Sequence, residues 1–215
     1  MELTGKKVVF LGDSITEGAG TSDIEHRYTN VFAKLAGCEI FVDGIGGSRF
    51  ANQKKPTNER HDRYFISRVD ALPKEADIVV VFGGTNDFGH GDAPFGTFED
   101  RTENTFYGAA HTLCRRLIEK YPAATIVFMT PLHRITEAAT TNEIGLPCKP
   151  LKAYVEAIRE VCEYYSIPVL DLYKVSGMQP LVEIIKTSYM PDGLHPNDAG
   201  AEKIAKLLKN FLLCL

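Results

Sequence analysis

The alternation of short apolar runs with longer amphipathic segments constrains the fold of this chain most strongly. Five runs rich in β-branched residues predict buried strands, at residues 7–11, 40–42, 77–82, 125–129 and 168–172. Five segments carry apolar residues at helical spacing, at residues 28–36, 63–72, 105–120, 151–165 and 197–215. Because the short runs are continuously apolar rather than alternating, we expect strands that helices cover on both faces.

Strand–helix alternation of this kind predicts right-handed crossovers and therefore a parallel sheet. We interpret the chain as α/β, with a three-layer α/β/α sandwich around a five-stranded parallel sheet in the flavodoxin-like order 2-1-3-4-5. The chain has 215 residues, the length of one domain, and we expect a single domain over residues 1–215. Its 44% hydrophobic and 24% charged residues exclude disordered, coiled-coil and collagen-like chains.

Composition also limits which partners the protein could bind and in which compartment we expect it. The formal net charge of −4 argues against a nucleic-acid-binding protein, which usually carries a basic surface. The longest apolar run has five residues, at 78–82, far short of the roughly 20 that a membrane-spanning helix needs. Five separated cysteines without a CxxC pair predict reduced thiols rather than disulfides or a zinc site. With only a four-residue apolar run near the N-terminus, at 8–11, these features predict a cytoplasmic protein.

Three long irregular segments follow predicted strands, at residues 46–61, 88–102 and 131–150. Each begins near the C-terminal end of a strand, and open α/β sheets bind their ligands at that edge. We therefore expect a ligand site built from these segments and from the residues that end the strands.

The first strand ends in Gly12-Asp13-Ser14, and a turn there can lift a side chain to the ligand edge. Two roles are open for Ser14: a nucleophile, or the cap of the following helix. Near the C-terminus, Asp192 and His195 lie three residues apart. At that spacing a carboxylate can reach the imidazole, which would then serve as the base that a serine nucleophile requires. The alternative is an Asp-Gly turn followed by an exposed histidine.

Two glycine-rich turns end the second and third strands, at residues 43–48 (DGIGGS) and 83–87 (GGTND). Such turns let a substrate approach backbone N–H groups, and Asn86 adds a side-chain amide that can stabilise an oxyanion. A phosphate-binding loop is the alternative for the first turn. It lacks the spacing of a P-loop or a dinucleotide-binding site, so nucleotide binding is disfavoured.

Taken in order, the blocks Gly-Asp-Ser, Gly, Gly-x-Asn-Asp and Asp-x-x-His resemble the SGNH hydrolases, also called GDSL-type esterases and lipases. The resemblance spans the chain from the GDS block to the DGLH block and implies the same α/β/α fold. It assigns the nucleophile to Ser14, the base to His195 and the orienting acid to Asp192. The oxyanion donors it implies are the N–H of Ser14, the N–H of Gly47 (with Gly46 as the alternative) and the amide of Asn86.

The sequence departs from the family pattern at two places. The first block reads GDSI rather than GDSL, and Asp43 stands near the position where members often carry Asn. The resemblance implies a serine esterase acting on a small-molecule ester, with no metal or cofactor. We expect a short acyl group, acetyl first, on a polar alcohol such as a carbohydrate. The alternatives are an acyltransferase with the same residues and a non-catalytic binding domain that has kept the fold.

Further candidates surround these blocks. The pattern Asp87-x-x-His90-x-Asp92 could hold a metal, but we interpret it as part of a polar loop. Additional candidate substrate-binding residues are Asp13, Arg49, Phe88 and Arg134. Arg49 and Arg134 could contact a sugar hydroxyl or an acidic substrate, or could equally be exposed loop arginines. Phe88 could help to line an acyl pocket or stack on a sugar ring.

Overall fold

A five-stranded parallel sheet lies at the centre of the computed structural model, which describes residues 1–55 and 57–215. The strands are β1 (Lys7–Gly12), β2 (Glu39–Gly44), β3 (Ile78–Phe82), β4 (Thr125–Met129) and β5 (Val169–Leu170). Their order is β2-β1-β3-β4-β5, and every neighbouring pair is parallel. The predicted fold class and strand order are confirmed.

The described residues form four longer helices and several short ones. The longer helices are α2 (Tyr28–Ala36), α5 (Phe106–Lys120), α6 (Leu151–Tyr164) and α9 (Asp198–Leu213). The shorter helices are α1 (Ser14–Glu17), α3 (Phe65–Arg68), α4 (Thr85–His90), α7 (Leu172–Val175) and α8 (Glu183–Tyr189). Two 3₁₀ turns, Ile24–His26 and Val69–Ala71, complete these elements. The four longer helices match predicted ones, whereas α1, α4, α7 and α8 are too short to show a period in the sequence.

The sheet buries both faces, as its continuously apolar strands predict. On one face, Val9 and Val79 share a core with residues of α5 and α6. On the other face, Val8 and Phe10 share a core with residues of α2 and α9. Alternate residues of each strand thus supply two separate cores, and the helices form the outer layers of the sandwich.

The predicted strand over residues 168–172 is wrong in its second half. The strand ends at Leu170, and Leu172 already begins α7. The Asp171 side chain accepts the backbone N–H of Lys174, which is the capping interaction that favours a helix start. The apolar residues of this run therefore belong to two different elements.

β1 lies between β2 and β3, and this position brings three loops together. Gly12 pairs with Gly44 on one side and with Phe82 on the other, so the three strands end at the same level. A side chain at Gly12 would overlap Thr16, which is buried and bonded to Tyr28. The chain can therefore turn sharply into α1 at this point.

In the part of the chain that the structure describes, no helix is long and apolar enough to cross a membrane.

Helix α9 offers a direct test of how the outer layer packs. Leu208 is completely buried against the sheet, whereas Leu213 at the end of the same helix is 48% exposed. Leu208→Ala should lower the free energy of unfolding by about 2–5 kcal/mol, because it removes buried methyl groups and leaves a cavity. The matched variant Leu213→Ala should cost less than about 1 kcal/mol. Urea unfolding measures both, and equal losses would contradict the packing described here.

Candidate active site

Ser14 is the first residue of α1 and directly follows the turn at the end of β1. The Asp13 carboxylate accepts the backbone N–H of Ile15 at 3.0 Å, which caps the helix. Gly18 ends this single turn in a left-handed conformation, and its N–H donates to the Ser14 carbonyl. Capping falls to Asp13 rather than to the serine, so the Ser14 hydroxyl is available for other contacts.

The Ser14 hydroxyl lies 3.0 Å from Nε2 of His195, and Nδ1 of His195 lies 2.6 Å from Oδ2 of Asp192. A carboxylate can only accept, so it takes the Nδ1–H of the ring and leaves Nε2 free to accept the serine proton. The structure thus brings together three side chains that are 181 and 3 residues apart in sequence.

Asp192 is held in place by its own loop. Its Oδ1 atom accepts the backbone N–H groups of Leu194 at 2.9 Å and His195 at 2.7 Å. Partial burial alone would raise the pKa of Asp192, but the hydrogen bonds from the His195 ring and from these two N–H groups lower it below its ordinary value. Gly193 has a φ of +77° and packs on Ile135, where a side chain would collide. The loop therefore requires glycine between the acid and the base.

In the glycine turn after β2, the two candidate donors, Gly46 and Gly47, differ in whether another described residue already accepts their N–H. The N–H of Gly46 donates to Oε2 of Glu17 at 2.8 Å, and the other oxygen of Glu17 contacts Arg60. Gly47 has a φ of +74°, and none of the described residues accepts its N–H. The geometry favours Gly47 over Gly46 as the donor that remains free.

Asn86 lies in the first turn of α4, which follows β3. Its Nδ2 atom donates to the backbone carbonyl of Ser48 at 3.0 Å, one residue beyond Gly47. The next residue, Asp87, accepts the backbone N–H groups of Phe50 at 2.9 Å and Ala51 at 3.0 Å. Burial raises the pKa of the Asp87 carboxyl to about 7, against these two hydrogen bonds, which lower it. Neighbouring side chains of α4 thus hold the loop that carries Gly47.

The additional candidate substrate-binding residues all lie inside the protein. The Arg49 side chain has 0% exposure and donates to Asp62 at 2.7 Å. Arg134 is also buried, contacts Glu143 and lies over the ring of Phe88 at 5.3 Å. The alternative of exposed loop arginines is therefore wrong for both.

Phe88 and Asp13 are equally buried. Phe88 packs edge-on against Tyr154, 6.0 Å away, in the core that α5 and α6 cover. Asp13 directly precedes Ser14 and caps α1 through the backbone N–H of Ile15. Substrate contact by these two residues and by the two arginines stays a prediction, and the structure gives each of the four an internal partner.

The Asp87-x-x-His90-x-Asp92 pattern does not converge on one point. Asp92 accepts the backbone N–H groups of Lys54 at 2.7 Å and Lys55 at 2.8 Å, while Asp87 binds two other backbone groups. Among residues 1–55 and 57–215, no group of three or more His, Cys, Asp and Glu side chains could hold a metal ion. The two carboxylates instead anchor the long segment that follows β2.

Sequence reasoning missed two residues beside the site. Arg68 is buried and donates to the carbonyls of Gly12 and Asp43 at 3.0 Å each. It also pairs with the Asp43 carboxylate at 3.3 Å, which gives Asp43 a role in the loop. The ring of His61 lies directly over Gly47, where a side chain would overlap it. Arg68 lies within the predicted helix 63–72, whose apolar spacing carries no signal for the polar contacts of this side chain, and His61 ends the irregular segment 46–61.

A cavity of about 740 Å³ lies at the C-terminal end of α4. It is lined by Lys54, Lys55, Thr57, Gly91, Asp92, Ala93, Pro94, Ile144, Leu146 and Pro147. Gly91 follows the last residue of α4, five residues beyond Asn86. The cavity thus lies beyond the C-terminal end of α4, among the segments after β2 and β4, and Ser14, Asn86 and His195 are not among its lining residues.

A family model for the GDSL-like lipases and acylhydrolases matches residues 10–203, and the chain belongs to this family. Membership of this family agrees with the carboxylic ester hydrolase class that the sequence predicts.

The similar proteins include both a curated relative and solved structures. An acetylxylan esterase from Xylanibacter ruminicola is 26% identical over 221 residues, covering 94% of this chain and 42% of that protein. The chain thus spans less than half the length of that relative. A crystal structure of a Lactobacillus plantarum protein is 31% identical, with a TM-score of 0.83 and 98% of each chain covered. A solved acetyl xylan esterase is 22% identical, with a TM-score of 0.63 over 95% of this chain and 98% of its own. It is similar in fold.

The pH dependence of the free energy of unfolding tests whether burial raises the pKa of Asp13, the residue before Ser14. Burial raises the pKa of Asp13 from its ordinary value of 3.8 to about 6, so folding favours its protonated form. This contribution to stability is complete below the pKa of the unfolded chain and is lost as the pH rises through about 6. In Asp13→Asn the side chain stays neutral and caps the helix equally well. Relative to wild type, the variant should gain up to about 3 kcal/mol between pH 4 and pH 7, at about 1.4 kcal/mol per pKa unit.

Urea unfolding of both proteins across this pH range measures the difference. At pH 4 the two should be similarly stable, which serves as the internal control. Parallel stability curves at every pH would show that Asp13 is not destabilised by burial.

Proposed function

We propose that this protein is a serine esterase that removes a short acyl group, acetyl first, from a polar alcohol such as a carbohydrate. The observation that carries the proposal is the chain of contacts from the Ser14 hydroxyl through His195 to Asp192, at 3.0 Å and 2.6 Å. This arrangement activates a serine that would otherwise be a weak nucleophile.

In the first half of the reaction, Oγ of Ser14 attacks the ester carbonyl while Nε2 of His195 takes its proton. The carbonyl oxygen becomes an oxyanion, and the C–O bond to the alcohol then breaks as His195 returns the proton to the leaving oxygen. Asp192 keeps the proton of the neutral ring on Nδ1 and stabilises the imidazolium that forms. The product of this half is the free alcohol and an acyl group on Ser14.

In the second half of the reaction, a water molecule takes the place that the alcohol has left. His195 takes a proton from water as the water oxygen attacks the acyl carbonyl, and the proton then passes to Oγ of Ser14 as the acid leaves. The oxyanion forms twice, and it would be bound by the N–H groups of Ser14 and Gly47 and by the amide of Asn86. Such fixed donors stabilise an oxyanion most effectively in a site that is already ordered before substrate binds.

Two observations support a short acyl group on a polar alcohol. The phenylalanine that the sequence offers for an acyl pocket, Phe88, is packed in the core. The cavity beyond the C-terminal end of α4 mixes the polar residues Lys54, Thr57 and Asp92 with apolar ones, as a site for a hydrated alcohol would. The curated relative named an acetylxylan esterase points to the same class of substrate.

The experiment compares hydrolysis of p-nitrophenyl esters from acetate to octanoate by wild type and by Ser14→Ala. We expect turnover to be fastest on acetate and to decrease with chain length. The variant should lose activity on the order of 10⁴–10⁶-fold with its stability unchanged, because the nucleophile is gone. Ser67→Ala, at an exposed serine that bonds only to a neighbouring backbone carbonyl, is the matched control and should keep full activity.

Two outcomes would overturn parts of this proposal. If Ser14→Ala kept a tenth of the wild-type rate, Ser14 would not be the nucleophile. If the wild-type acyl group passed mainly to an added sugar alcohol rather than to water, the enzyme would be an acyltransferase with the same residues. Acetylated oligosaccharides then test the alcohol directly, with release of acetate as the readout.

A further inference from the structure

We propose that His90 is a positioning residue that fixes the amide of Asn86 in the orientation that donates to the oxyanion, and that Arg49 and Asp62 hold His90 for this purpose. The inference rests on the proposed function, because it concerns an oxyanion donor. It deepens that function by adding three residues to the machinery behind the donor.

The contacts form one continuous chain beneath the site. Oδ1 of Asp62 lies 2.7 Å from the guanidinium of Arg49, which lies 3.2 Å from Nδ1 of His90. Nε2 of His90 lies 3.2 Å from Oδ1 of Asn86. Asn86 and His90 are four residues apart on α4 and therefore share one face of that helix. The Arg49 side chain is fully buried, and Asp62, with 23% of its side chain exposed, forms the outer end of this chain of contacts.

Donor and acceptor chemistry fixes every proton in this chain. A guanidinium can only donate, so Nδ1 of His90 must accept from Arg49 and the ring proton must lie on Nε2. The Nε2–H then donates to Oδ1 of Asn86, which leaves Nδ2 directed at the carbonyl of Ser48, 3.0 Å away. One Nδ2 proton fills that bond, and the second remains for a substrate oxygen.

The reversed amide would be strongly disfavoured. It would place Nδ2–H groups against the Nε2–H of His90 and place Oδ1 against the carbonyl oxygen of Ser48. One buried and one partly buried hydrogen bond would be replaced by two repulsive contacts, and an unsatisfied buried polar group is costly. The amide is therefore held in a single orientation before substrate arrives, which is the condition under which an oxyanion donor is effective.

The surroundings of His90 keep it neutral. Burial and then the charge of Arg49 lower the pKa of His90 to about 4, while Glu143 opposes this shift and His61 and Arg134 add to it. A charged ring would carry a proton on Nδ1, facing the guanidinium. The neutral form with its proton on Nε2 is the one the hydrogen bonds require, and it persists at neutral pH.

The first experiment uses single and double variants in ester hydrolysis. Asn86→Ala should lower kcat by about 10²–10³-fold. His90→Ala should lower kcat on the order of 10-fold or more and leave KM within about twofold, because the donor acts on the transition state. His90→Gln should recover most of this loss, since its amide N–H can donate to Asn86 and its oxygen can accept from Arg49.

The double variant shows whether His90 acts through Asn86. In the Asn86→Ala background, His90→Ala should change kcat by no more than about twofold, because the group it positions is absent. The same fold loss in both backgrounds would show an independent structural role and overturn the proposal. A loss confined to KM, or a His90→Gln variant as slow as His90→Ala, would overturn it as well.

A second measurement does not depend on activity. Nitrogen NMR of the histidine rings, assigned by the signal lost in His90→Gln, should show His90 at pH 7 with its proton on Nε2 and none on Nδ1. A proton on Nδ1 would overturn the proposal even if every variant were inactive.

The outcomes distinguish a failure of this inference from a failure of the proposed function on which it rests. An active Ser14→Ala would remove the proposed function itself. An inactive Ser14→Ala beside unaffected His90 variants would remove only the role of His90.

Discussion

The position of β1 between β2 and β3 is the constraint on which the candidate site depends. Because the three strands are parallel and in register, their C-terminal ends lie side by side, with Gly12 paired to both Gly44 and Phe82. The turns that follow these strands carry Ser14, Gly47 and Asn86. A parallel sheet thus brings the proposed nucleophile and two proposed oxyanion donors to one edge from distant parts of the sequence. His195 reaches the same edge from the loop before α9.

Sheet geometry brings the three turns to one edge, and polar contacts, most of them buried, then fix the positions of the side chains in those turns. Asn86, Asp87 and His90, all on α4, each bond to the segment of residues 48–51. In a buried setting these hydrogen bonds cannot be exchanged for water, so breaking one leaves an unpaired group. The donor turn is therefore fixed relative to Asn86 in advance of substrate. The same loop is held from its other side, where the N–H of Gly46 binds Glu17.

The structural features that could be predicted from the sequence are those marked by a local sequence pattern. Continuous apolar strands predicted the sheet and its order, and short patterns located Ser14, Asp192, His195 and Asn86, which the structure places close to one another or to the glycine turn. The contacts of Asp62 and His61 escaped prediction because they belong to a long irregular segment whose path depends on the folded core. The burial of Arg49 could not be predicted for a related reason. A charged residue in a polar loop is usually exposed, and the partners that permit its burial, Asp62 and His90, lie 13 and 41 residues later.

The most direct test of the account is to identify the residue that carries the acyl group. Wild-type protein is mixed with p-nitrophenyl acetate, quenched in acid within the first turnovers and analysed by mass spectrometry of its peptides. The account predicts one acetyl group on the peptide that contains Ser14, formed with a burst of nitrophenol and absent from the protein with Ser14→Ala. An acetyl group on another residue during turnover, or turnover without any acylated peptide or burst, would contradict a mechanism in which Ser14 attacks the ester.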